Sequence, residues 1–173
     1  MEINTPADYL DVMRQALEPG VKAASVETDE DGEPKLICVT NAPFDENSEI
    51  TYMIWPEEDE DTLPMFNIVI MLFDGIDASL SDDIRAIIGR ANLYVMTGGF
   101  SFIRATSSVV SSHSFYFDTE MTLGDVTLAA AKSLEIMESD IFVIGGLLAK
   151  VINGEMTGSE AVASLSESFG DKE

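Results

Sequence analysis

Phe66-Asn-Ile-Val-Ile-Met-Leu-Phe73 decides how the rest of the chain is read. The run is almost wholly apolar and rich in β-branched and aromatic residues, and it is far shorter than the ~20 residues that cross a bilayer. Such a segment reads as a central strand buried on both faces. Working back from it, Glu49–Trp55, Lys35–Thr40 and Val21–Val26 carry strand-like patterning separated by turn chemistry. Asp31-Gly32 is a hairpin signal and Asn41-Ala-Pro43 closes the strand before it, so these segments are expected to be antiparallel neighbours.

Working forward, Ser79 or Ser81 offers an N-cap for a helix to about Asn92 that places Ile84, Ile87, Ile88 and Ala91 on one side. Gly89 weakens that helix unless close packing requires a missing side chain. Gly98-Gly99 opens a second strand pair, Phe100–Thr106 and Val109–Asp118, joined near Ser107-Ser108. Alternation puts Phe115 and Phe117 on the same face as Val109 and His113.

The ends are helical. Thr5, Pro6 and Asp8 form the start signal of a capping box, and Tyr9, Val12, Met13, Ala16 and Leu17 follow at helical spacing before Pro19-Gly20. Thr122 and Asp125 repeat the signal for a long C-terminal helix through Asn153-Gly154 that Glu138-Ser-Asp140 either interrupts or decorates. Gly145-Gly146 would destabilise that helix in isolation, which implies packing against something close. A short helix around Ser159–Ser168 follows, with residues 168–173 expected to fray. The fold class is α+β: an antiparallel sheet with an N-terminal helix, a middle helix and a long C-terminal helix, in one domain spanning 1–173.

The chain has 173 residues with 46% hydrophobic content, enough for one core without disulfides or metal. Lys and Arg number 9 against 32 Asp and Glu, a net charge of −23. Phosphate backbones and anionic membrane surfaces repel such a surface, so neither nucleic acid nor membrane is an expected partner. Cys38 is the only cysteine, and the N-terminus lacks the basic and apolar regions of a signal peptide. Both point to the cytoplasm.

The candidate chemical sites each have a plainer reading. Glu27, Asp29, Asp31 and Gly32 imitate the first half of a calcium loop, but Cys38 stands where the closing bidentate Glu belongs, and Pro34 lies within. A solvated hairpin tip fits better. Glu57-Glu-Asp-Glu-Asp61 repels itself more readily than it forms a cage. His113 is the only histidine and is expected to pack beside Phe115 and Phe117, with no activated serine elbow in the chain. Cys38, inside an apolar strand, behaves as a small hydrophobe. Neither catalytic residues, cofactor nor metal is expected. Trp55, with Met53 and Met65 beside the acidic run, forms an apolar and acidic edge that could hold a peptide, and an ordinary core boundary explains it as well.

Three stretches carry a resemblance. Asp82–Asn92 is similar to the middle helix, Gly98–Asp118 to the second strand block, and Thr122–Gly154 with the following Glu155–Val162 to the terminal helix and tail of the YbjN family of sensory-transduction regulators, whose fold is shared by the type III secretion chaperones of the Tir kind. Gly89 stands where the family often has asparagine. The resemblance implies an acidic, cytoplasmic, non-enzymatic protein, commonly homodimeric, that holds a protein partner on exposed apolar surface. A partner or dimer surface is accordingly expected at Ile84, Ile87 and Ile88, at Phe115 and Phe117, and at Trp55. Two other readings stand beside this one: a small enzyme or divalent-metal binder using Asp29, Asp31, Glu57 and Asp59, and an acidic decoy that imitates nucleic acid.

Overall fold

The computed structural model describes residues 5–57, 64–117 and 121–170. Helix α1 (Pro6–Leu17) starts at the expected box: the Thr5 hydroxyl accepts from the Asp8 amide, and the Asp8 carboxylate accepts from the Thr5 amide. Strands β1 (Ala23–Thr28), β2 (Pro34–Ala42), β3 (Asp45–Glu57) and β4 (Met65–Phe73) follow, then α2 (Ser81–Ala91), β5 (Gly99–Ile103), β6 (Ser108–Tyr116), α3 (Leu123–Ile152) and α4 (Gly158–Phe169). The strands form one antiparallel sheet ordered β1-β2-β3-β4-β6-β5. The α+β class and the four expected helices are therefore present.

Several local expectations are corrected. Neither Ser79 nor Ser81 caps α2; Asp77 instead accepts from the Ser79 amide and starts a 3-10 turn that runs into the helix. Gly89 is exposed and a Cβ there would meet nothing, so no close packing demands it. Glu138-Ser-Asp140 does not interrupt α3, which runs unbroken for 30 residues. The reason the paired glycines survive in α3 is Phe44, in the β2–β3 turn: a Cβ on Gly145 would lie 2.5 Å from the Phe44 ring. Residues 168–170 do not fray in the described structure. Phe169 ends α4 stacked on Tyr94 at 4.9 Å, and Gly170 takes the left-handed conformation of a C-cap.

The core lies between the sheet and the helices. Leu36, Cys38, Ile50, Tyr52, Ile54, Phe66, Ile68 and Ile70 point into it from the strands, and Leu10, Met13, Ile84, Ile87, Leu134, Met137, Ile141, Ile144, Ala161 and Leu165 meet them from all four helices. Its aromatic centre joins Tyr9 to Phe66 and Phe117, and Phe66 to Phe115. Tyr52 donates to the Glu138 carboxylate at 2.5 Å, tying β3 to α3. Asn92, just past α2, accepts from the Phe100 amide and donates to its carbonyl, which fastens that helix end to edge strand β5.

The reading of Phe66–Phe73 as buried on both faces is only half right. Its residues alternate strictly, with Phe66, Ile68, Ile70 and Leu72 buried in the core and Met65, Asn67, Val69 and Met71 half-buried on the other side. Every helix described packs on the first side. The second face carries apolar residues that belong to no core.

Candidate functional site: an open apolar sheet face

Registered pairs in a sheet place their side chains on one face, so the strand pairing lists the residues of this second face row by row. One row runs Ile37, Met53, Val69, Ser112; the next runs Val39, Thr51, Met71, Val110. Flanking them on one side are Lys35, Trp55, Asn67 and Ser114, then Glu57, Met65 and Tyr116. Glu49, beside Asn41, marks the opposite flank, and Ser25 and Glu27 of β1 complete the margin. The result is a compact apolar strip across β2, β3, β4 and β6 with a polar rim.

Why the strip forms follows from local chemistry. Val, Ile, Trp and Thr favour the pleated surface, and with Met53 and Met71 they meet neighbours across the strands. Val110 is only 5% exposed, yet it lies outside the core cluster. At the far end of β4 a register shift between Met71 and Phe73 ends the strip by turning Phe73 toward Phe44, their rings 5.4 Å apart.

The rim is polar by construction. The Ser114 hydroxyl donates to the Asn67 side-chain oxygen, and the Asn67 amide donates to Glu57 at 2.6 Å. Lys35 lies 5.9 Å from the Trp55 ring centre and meets Asp29 at 2.6 Å. Lys22 pairs with Glu49 at 2.7 Å, while Glu27 accepts from the Ser25 hydroxyl. Among the described residues Glu27 and Glu57 form no ion pair.

Of the residues expected to form a partner or dimer surface, the structure leaves only Trp55 on this face. Ile84 and Ile87 are fully buried and Ile88 nearly so, because α2 turns that side to the protein's own core. Phe117 packs between Tyr9 and Phe66, and Phe115 stacks on Phe66. A face that must bury itself within the chain cannot also serve as a free surface. The residues that sequence reasoning passed over are Ile37, Val39, Val69, Met71 and Val110; their apolar character was visible, but it reads the same whether the face is covered or open.

Asp29 accepts from the Asp31 and Glu33 amides at 3.0 and 2.9 Å, and these bonds with Lys35 hold its carboxyl below the usual range. With Gly32 in the left-handed region, this is a hairpin tip built around Asp29. Asp59 lies outside the described residues. Among the described residues no group of three or more His, Cys, Asp or Glu is placed to hold a metal, and no helix is long and apolar enough to cross a membrane. His113 stands opposite Ile68 with its pKa lowered by burial, and burial pushes the Cys38 thiol up to about 11.

A different exposed surface lies on the outer side of α3. Leu128 and Phe142 are 55% and 60% exposed there, with Ile136 between them. Compared with known proteins, the chain matches no family model and no curated sequence.

Proposed function

We propose that the chain is a non-enzymatic, chaperone-like adaptor of the cytoplasm that holds a protein partner against the open face of its sheet. The observation that carries this reading is the strip of Ile37, Val39, Met53, Trp55, Val69 and Met71, apolar side chains on a face that no described helix covers. Sheet layers normally bury such a face against a second layer, and large contiguous apolar patches on proteins mark sites of association. Met53 and Met71 in its central rows and Trp55 at its flank are residue types enriched at interfaces. Element order supports the chaperone-like part through the likeness to the YbjN and Tir-chaperone fold described above.

The non-enzymatic part draws support from where the reactive groups sit. The Cys38 thiol is turned into the core with its proton held on, and His113 is set on the same inward side against Ile68. The adaptor acts as a homodimer, and the outer side of α3, with Leu128, Ile136 and Phe142, is the surface that serves it, since the side of α2 with Ile84, Ile87 and Ile88 is committed to the core.

A photo-crosslinking amino acid placed at position 53 or at position 142 tests both halves. Crosslinking in a lysate of the source cells is expected to join position 53 to one stoichiometric partner and position 142 to a second copy, with light scattering giving twice the chain mass. A background pattern at position 53 matching that of an unrelated acidic protein ends the adaptor reading; a monomer mass with no self-crosslink at 142 ends the dimer.

A further inference from the structure

Resting on the adaptor reading, we infer that the occupant of the open face is a cationic amphipathic helix of about ten residues supplied by another protein. Size comes first. The strip crosses four strands, β2, β3, β4 and β6, and at about 4.8 Å between strands it is roughly 14 Å wide. A helix rising 1.5 Å per residue covers that width with about ten residues. Sheets already accept helices as a second layer, and a helix leaves no unpaired backbone when it lies on the strip.

Charge selects the kind of helix. Glu27 and Glu57 stand at one flank of the strip; Glu49 at the other is paired with Lys22, and Lys35 is held by Asp29. The chain as a whole carries −23. A helix with an apolar stripe and Lys or Arg at its margins places its cations over Glu27 and Glu57, whereas an acidic helix meets like charge at the same margins. A second copy of this chain fits poorly on this face, because it would set two acidic rims, each with Glu27 and Glu57, against each other.

Trp55 is the only tryptophan of the chain and lies on this face, so its emission reports occupancy directly. The probes are a 14-residue Leu/Lys amphipathic peptide and its Leu/Glu twin, titrated against the full chain at 0.15 M salt (about an 8 Å screening length). The Leu/Lys peptide is expected to shift Trp55 emission to the blue and to bind at least ~10-fold more tightly than the twin, a difference of about 1.4 kcal/mol or more. Val69→Asp is expected to weaken it ~10-fold or more; Val69→Thr, which keeps a β-branched side chain, weakens it less and serves if the aspartate variant misfolds. Leu93→Asp, the same charge change at a residue 69% exposed elsewhere, is expected to leave it unchanged.

Three results overturn the inference. Equal affinity for the twins removes the cationic preference while leaving the adaptor reading to the crosslinking result. Binding that leaves Trp55 unshifted, or that survives the Val69 substitutions, is diffuse charge attraction. A Trp55 shift that depends on protein concentration alone and vanishes in Val69→Asp means a second copy covers the face.

Discussion

At residue 145 a single methyl group decides whether α3 can lie where it does. A Cβ there would come within 2.5 Å of the Phe44 ring, so Gly145→Ala forces the ring or the helix to move and is expected to cost about 1–3 kcal/mol. Gly89→Ala, on the exposed side of α2 with open space around it, is expected to stabilise by about 0.5–1 kcal/mol. Urea midpoints of the two variants should move in opposite directions; two shifts of one sign contradict the packing described. Cys38 and Tyr52 give the pH response. Burial raises the Cys38 thiol to about 11, and burial, then the hydrogen bond and charge of Glu138, raise the Tyr52 phenol. The folded chain therefore keeps protons that the unfolded chain releases from about pH 8.5 upward. Stability from these groups is fully present below that pH and lost as pH rises toward 11. Urea midpoints measured from pH 7 to 11 should fall over that window, with a shallower fall in Cys38→Ala. A flat profile in the parent protein sinks the assignment.

Within β4, two neighbouring residues test which face is covered. Ile68 is fully buried under the helices, and Ile68→Ala is expected to cost about 2–5 kcal/mol. Val69 faces the open side, and Val69→Ala is expected to cost about 1 kcal/mol or less. Thermal unfolding of both variants checks this, and comparable losses would mean that a layer covers the second face after all. The strand's alternation could not be seen in Phe66–Phe73 because apolar residues occupy both phases of its period. Other element features were legible: the Thr5–Asp8 and Thr122–Asp125 capping boxes form as written, and the Thr157–Glu160 pair, of the same pattern, starts α4. Ser79 and Ser81 misled because capping needs a side chain aimed at free amides, and the 3-10 turn begun by Asp77 had already placed the chain in helical geometry.

For the whole molecule, the charge of −23 makes stability depend on salt. Self-repulsion opposes the compact state and is screened beyond about 10 Å at 0.1 M ionic strength. Raising sodium chloride from about 0.01 to 0.5 M is therefore expected to lift Tm by a few degrees, about 1 kcal/mol for a chain of this length. A scanning fluorimetry series reads it, and a Tm that falls with salt would show that local ion pairs such as Lys35 with Asp29 outweigh the net charge. By itself the sequence determined the elements, their antiparallel neighbours, the turns and the acidic surface, because capping, periodicity and turn chemistry act over a few residues. Only the tertiary structure decided that all four helices gather on one side of the sheet, that Phe44 lies on Gly145, and that Trp55 stands half-buried on the face no described helix covers while Ile84, Ile87 and Ile88 are buried in the core. Burial depends on which surfaces meet across distant parts of the chain. An apolar residue has the same composition and the same spacing whether its face is covered by a helix or left for another protein.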